Sequence, residues 1–310
     1  MEKEAFLGHV SDDSLKEIVA IQDRIKKLDT SGKAKKDFIH YIKNVWDGFI
    51  EGEHHKLFAK KLEAVANGKC KRLIVNMPPR HTKSEFASVY FPSWIMGLKP
   101  DMKIMQTTHT AELSARFGRK VRNLMDTTEY KHIFENVSLS ADSKSAGRWE
   151  TSHGGEYFAA GVGGAITGRG ADLLIIDDPH SEQDALSPTA LESAYEWYTS
   201  GPRQRLQPGG AIVIVMTRWS TLDLTEKLLR RMGEDHSDQW EVLELPAILE
   251  SGKPLWPGFW KLEELESVKA SLPVAKWNAQ YMQNPTSEEG ALIKREWWQM
   301  WEHDEPPPCS

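Results

Sequence analysis

Cysteine is almost missing from this 310-residue chain. Cys70 and Cys309 are the only two; they lie far apart without the paired spacing of a zinc site, so neither a disulfide framework nor a cysteine-ligated metal is supported. No apolar run approaches the ~18 residues that a membrane helix requires. The opening MEKEAFLGHVSDD is acidic and lacks the basic-then-apolar order of a signal peptide, so an intracellular protein with reduced thiols is expected. Basic charge is not in excess, the formal net charge being −6. That excludes a uniformly positive coat but not local basic surfaces, which occur at Lys33, Lys35 and Lys36, at Lys69, Lys71 and Arg72, and at Arg116, Arg119, Lys120 and Arg122. A dinucleotide fingerprint is also lacking: GVGGAITGRG, residues 161–170, puts Ile166 where the third glycine of G-x-G-x-x-G belongs.

What the chain does have is 40% hydrophobic and 27% charged residues, enough apolar material for a substantial core. Residues 11–46 carry Leu15, Ile18, Val19, Ile21 and Ile25 at helical spacing, with a break expected at Ser31-Gly32. A second helix is predicted from His54 to Ala66, ended by Asn67-Gly68. Beyond it, apolar runs at 72–77, 103–107, 157–160, 173–177, 211–217 and 242–245 alternate with helical segments at 84–98, 111–125, 189–200 and 222–232. This alternation predicts an α/β fold with a mostly parallel sheet between two helical layers. The end is Trp-rich, with Trp297, Trp298 and Trp301, and closes in three prolines at 306–308 that read as a linker. The expected domains are a helical lead-in over 1–45, a main domain over 46–285 and a linker over 286–310.

Three segments carry chemistry. In NMPPRHTKS, residues 76–84, Lys83 and Ser84 satisfy the end of the phosphate-loop pattern G-x-x-x-x-G-K-[ST], while Met77 and Thr82 stand where its glycines belong. The segment follows the strand-like RLIVNM and opens a helix, so backbone N–H groups and the positive helix end converge on one spot. Pro78 and Pro79 donate no N–H, which leaves the cradle to Arg80, His81, Thr82, Lys83 and Ser84, with Pro79 at its rim. Lys83 would reach β- and γ-phosphates, Arg80 would add a fixed positive charge, and the Ser84 hydroxyl would ligate Mg²⁺. In DLLIIDDPH a buried strand delivers Asp177 and Asp178 at its carboxyl end, the Walker B signature. Asp177 is expected to hold Mg²⁺ and Asp178 to act as general base. In AIVIVMTRWS, Thr217 ends a third apolar strand, placed to sense a γ-phosphate. Arg169, in the glycine-rich turn ahead of the acidic strand, is a candidate arginine finger, acting on its own or a neighbouring subunit's phosphate.

RLIVNMPPRHTKS, IIDDPHS, MTRWS and WNAQYMQNP, in this order, resemble the ATPase domain of large terminase subunits, the DNA-packaging motors of tailed bacteriophages, over residues 45–296. The resemblance implies a P-loop NTPase core of the additional-strand, conserved-glutamate (ASCE) type, a three-layer sandwich with ATP and Mg²⁺ as cofactors. It further implies translocation of double-stranded DNA by a homo-oligomeric ring, commonly a pentamer, on the portal protein of a procapsid. A small terminase subunit, the host cytoplasm and no membrane complete that picture. Family roles fall on Lys83, on Asp177 and Asp178, and on Thr217 as the coupling residue; Arg169 lies where the trans-acting finger is drawn from, with Arg80 and Arg119 as alternatives. Trp46, Phe49 and His55 lie in the upstream region where such motors hold adenine. Thr82 stands where relatives carry glycine, a strained choice if φ is positive there, and Asp178 where the wider class favours glutamate. The family's nuclease domain is not expected in the 25 residues after Pro285. Three other readings compete: a metal-dependent nuclease using Asp172, Asp177 and Asp178, a docking module with a decayed ATP site, and a P-loop helicase.

Overall fold

The computed structural model describes residues 12–286, apart from 142–144, 165 and 167. Strands β1 (Arg72–Asn76), β2 (Lys103–Thr108), β4 (Glu156–Gly161), β5 (Ala171–Asp177), β6 (Leu206–Met216) and β7 (Glu241–Glu244) run parallel; β3 (Arg148–Glu150) pairs antiparallel with β4 at one edge. Their order across the single sheet is β3-β4-β2-β5-β6-β1-β7. Parallel neighbours need crossovers, and helices supply them. Helices α1 (Asp12–Lys36), α2 (Phe38–Val45) and α3 (Glu53–Ala66) precede β1. Between β1 and β2 the chain runs through α4 (Lys83–Glu85), a π-helical turn (Phe86–Tyr90) and α5 (Phe91–Leu98). Next come α6 (Ala111–Met125) and α7 (Thr128–Ile133) after β2, α8 (Pro188–Ser200) before β6, α9 (Leu224–Arg231) before β7, and α10 (Leu262–Ser271) and α11 (Val274–Gln280) at the end.

Alternation along the strands builds two cores. Leu73, Val75, Leu173, Ile175, Val213 and Val215 face one side of the sheet, where Phe38, Tyr41, Phe58, Phe86 and Trp94 meet them. Ile74, Leu174, Ile176, Ile212, Ile214 and Met216 face the other, against Tyr198, Leu224 and Leu228. Both faces are covered, so the central strands read as unbroken apolar runs rather than alternating ones. Each such side chain, taken fully out of water, contributes about 1.5–3 kcal/mol. A third cluster, Ala247, Leu265 and Trp277, holds the closing helices together.

The α/β architecture expected from the sequence is the one observed, but the short edge strand β3 and helices α7, α10 and α11 were not expected, β6 begins five residues earlier than expected, and two helices differ in their course. Gly32 does not end α1, which runs on to Lys36; Ser31 Oγ donates to the Ile133 carbonyl (3.1 Å) and Trp94 Nε1 to the Ala34 carbonyl (2.9 Å), and this docking overrides the Ser-Gly break. The helix after the lysine loop is not uniformly α. Pro92 cannot donate to the Ser88 carbonyl, and the chain widens to a π turn just before it, Phe91 N–H reaching back to the Phe86 carbonyl. The segment carrying Trp297, Trp298, Trp301 and residues 306–308 lies outside the described residues. No helix among those described is long and apolar enough to cross a membrane.

Candidate functional site

The carboxyl ends of β5, β6 and β1 lie side by side, and the three expected motifs meet there. Met77 to Thr82 leave β1 as a tight loop, with Lys83 opening the helix. Lys83 is buried, and its Nζ lies 2.9 Å from Asp178 Oδ2. Asp178 Oδ1 accepts from the Thr217 N–H at 2.9 Å, while Thr217 Oγ1 donates to the Met77 carbonyl at 3.3 Å. Thr217, at the tip of β6 between them, thus links the acidic strand to the loop strand.

Asp177 is 1% exposed and accepts two hydroxyl hydrogen bonds, from Ser84 Oγ at 2.9 Å and Ser88 Oγ at 2.6 Å. Gln106 Nε2 on β2 donates to Ser88 Oγ at 3.0 Å. Burial, then the neighbouring Asp178 charge, push the Asp177 carboxyl up to about 7, with Lys83 and the two hydroxyls opposing. Ser88 and Gln106 escaped the sequence reading. Ser88 had a usable signal, since it lies four residues beyond Ser84 on the same helix face; a glutamine within the neighbouring β2 had none.

Backbone strain concentrates here. Among the described residues, five non-glycine positions have positive φ, and three are Arg80 (62°), Thr82 (71°) and Asp178 (41°). Such conformations persist where surrounding structure holds them, and gather at functional sites. At Thr82 the condition for strain raised by the sequence is met. Gln283, also at positive φ, accepts the Arg218 N–H through Oε1 at 3.1 Å, which places WNAQYMQNP against the tip of β6. Arg218 itself is buried in an ion-pair cluster with Asp223 (2.9 Å), Glu226 (2.9 Å) and Glu244 (3.4 Å).

An aromatic and imidazole layer backs the loop. His55 stacks on Phe86 (centroids 4.9 Å, 16° apart), touches Phe49 (4.9 Å) and meets Trp256 edge-on (5.0 Å, 82°). Trp46 stacks on Tyr90 at 4.9 Å and lies 5.2 Å from Phe49. Burial is the first cause depressing three imidazoles: His54 to about 3, His55 to about 2 and His81 to about 4. His81 Nδ1 donates to the Pro79 carbonyl at 2.8 Å, fixing the loop's turn.

Not every candidate joins the group. Arg80, within the loop, is exposed and has no side-chain partner among the described residues. Arg169 sits just before β5, at the amino ends of the strands and so opposite the site, paired with Glu156 and lying 4.2 Å from the centre of the Phe158 ring. Six residues of strand at ~3.3 Å each, roughly 20 Å, separate its end of β5 from Asp177, so it does not reach its own chain's loop. Arg119 is exposed on α6, whose Lys120 pairs with Glu85 just past the loop. Asp172 likewise lies at the far end of β5, accepting the Lys103 N–H at 2.8 Å. The three-carboxylate cluster of a nuclease centre is therefore not assembled, and no group of three or more metal-ligating side chains occurs among the described residues.

A lysine loop after one parallel strand, an acidic pair after another, and one strand between the two define a P-loop NTPase core of the additional-strand type. Solved structures share this architecture. The HK97 bacteriophage large terminase superposes with a TM-score of 0.50 at 12% identity over 76% of this chain and 51% of that one. A mutant form of the ATPase domain of the Thermus phage P74-26 large terminase gives 0.50 at 13% identity, over 79% and 98%. The chain thus has the fold of phage large-terminase ATPase domains, and spans about half the length of the HK97 protein. No protein-family model and no curated protein matches the sequence.

Proposed function

We propose that the chain is the ATP-hydrolysing motor domain of a phage terminase large subunit that drives double-stranded DNA into a procapsid. The observation that supports this most is the convergence of Lys83, Asp178 and Thr217 over the adjacent tips of β1, β5 and β6. In this reading the backbone from Arg80 to Ser84 cradles the phosphates and Lys83 neutralises their β- and γ-oxygens. Asp178 takes the proton of the attacking water, and Thr217, bonded to it, transmits the state of the site to β6.

The donor set fits Mg²⁺. One buried carboxylate, Asp177, beside the Ser84 hydroxyl provides the few hard oxygen ligands that this ion takes when phosphates supply the rest. When bound, the ion supplies neutralisation of charge building on the phosphate oxygens. Ser84 and Ser88 keep the Asp177 carboxylate oriented, and burial in the strand end excludes competing water.

Arg169, remote from its own loop, would serve the phosphate of a neighbouring subunit in a homo-oligomeric ring, a pentamer on the portal protein. The exposed Arg116 and Arg119 of α6 are suited to contact DNA phosphates. A small terminase subunit would deliver the DNA in the host cytoplasm. Phosphate release measured with and without double-stranded DNA tests the reading. Turnover that requires Mg²⁺, rises with DNA and is lost in Lys83→Ala is expected; equal turnover in Lys83→Ala would contradict it.

A further inference from the structure

Thr82 holds φ at 71° in a position where a β-branched side chain is disfavoured, so something must hold it. The tautomers identify the holder. Gly52 N–H, a donor only, lies 2.8 Å from His55 Nδ1, which must therefore accept. A neutral ring then carries its proton on Nε2, 2.7 Å from Thr82 Oγ1. Thr82 Oγ1 in turn donates to the carbonyl of His81. The result is one directional chain: Gly52 N–H to His55, His55 to Thr82, Thr82 to its own preceding peptide. Phe86, Phe49 and Trp256 pack around the imidazole and prevent it from turning away. Gly52 is itself constrained, because a Cβ there would lie 2.7 Å from His54 and 2.8 Å from Trp256.

We propose that His55 is a positioning residue for the phosphate loop, holding Thr82 in the left-handed conformation that lets the loop's N–H groups face a nucleoside triphosphate. This rests on the reading of residues 80–84 as the nucleotide-binding loop. It replaces the adenine-contact role expected for His55, whose two nitrogens are both engaged within the protein. It also explains how a threonine occupies a glycine position: the hydroxyl that makes the residue bulky provides the hydrogen bond that restrains it.

The test is a double-mutant cycle read by calorimetric binding of Mg-ATPγS. His55→Phe keeps the stacking but loses both hydrogen bonds, and is expected to weaken binding roughly tenfold, since the loop must then meet the left-handed cost on binding. His55→Gln, whose carboxamide can both accept and donate, should stay within about threefold of the wild type. In a Thr82→Gly background, whatever its own affinity, His55→Phe should add nothing, because glycine needs no restraint. Thr82→Val, which leaves α3 untouched and removes only the bonded hydroxyl, should show the same roughly tenfold loss even if His55→Phe fails to fold. Equal losses from His55→Phe in the wild-type and Thr82→Gly backgrounds, or undiminished affinity in Thr82→Val, would overturn the proposal. Absence of binding by the wild type would instead overturn the nucleotide reading on which it rests.

Discussion

Lys83 Nζ lies 2.9 Å from Asp178 Oδ2, which ties the cation expected to grip phosphates to the carboxylate expected to activate water. Each engages the other. In the proposed reading a triphosphate would draw Lys83 away and free Asp178, so the ion pair would restrain the base until nucleotide binds. Asp178 is 27% exposed, and water can solvate it once Lys83 is gone. Lys83→Ala is therefore expected to leave the melting temperature within a few degrees while reducing phosphate release by at least ~10²-fold. Thermal melting and a phosphate-release assay on the same preparation check both halves.

Asp177 carries the opposite balance of stability and function. Its carboxyl is pushed up to about 7 by burial and by Asp178, so the folded chain holds a proton there that the unfolded chain has already released. The stability this contributes is complete below the ordinary carboxylate range and is lost as pH rises through about 7. Asp177→Asn should then stabilise the nucleotide-free protein at pH 8 by roughly 1–3 kcal/mol and flatten its stability between pH 5 and 8, while Mg²⁺-dependent turnover disappears. Denaturant titrations across that range would show this; a destabilised Asp177→Asn variant would speak against a buried, strained carboxylate.

The imidazoles behind the loop act in the other direction. His54, His55 and His81 stay neutral well below their ordinary 6.5, at about 3, 2 and 4. As pH falls below 6.5 the unfolded chain binds protons that the folded chain refuses, so stability falls, by about 1.4 kcal/mol per pH unit for each group. Stability should begin to fall near pH ~6 and go on falling below pH ~4, because the folded values of about 3, 2 and 4 all lie at or below that point. Replacing His54 by Phe should reduce that slope by about one proton, measured as stability against pH.

Arg218 is 4% exposed and faces Asp223, which is fully buried. Arg218→Ala would leave that carboxylate without its cation and without the contact that holds α9 to the tip of β6. A loss of about 3–5 kcal/mol is expected. Chemical denaturation is the measurement; a loss below about 1 kcal/mol would mean that water replaces the guanidinium.

The sheet was legible because its strands are buried on both faces, and runs such as Leu73–Val75 and Leu173–Ile176 leave few other assignments. The acidic pair and the Lys-Ser loop were legible for the same reason: each directly follows such a run. What the sequence hid depends on contacts between distant segments. Arg169 lies in a glycine-rich turn close in sequence to Asp177, yet the length of β5 carries it to the other end of the strands. His55 stood out only through the resemblance, as a residue of the region where such motors hold adenine, since nothing in GEHHK signals a hydrogen bond to a loop 27 positions on. The extension of α1 through Gly32 is likewise set by tertiary docking rather than by local preference.

The most direct measurement is a crystal structure with Mg-ATPγS. The account predicts that Lys83 leaves Asp178 for the β- and γ-phosphates, that Ser84 and Asp177 flank the metal, and that Asp178 faces the water in line with the γ-phosphorus. Nucleotide bound elsewhere, or bound with Lys83 still paired to Asp178, would contradict it.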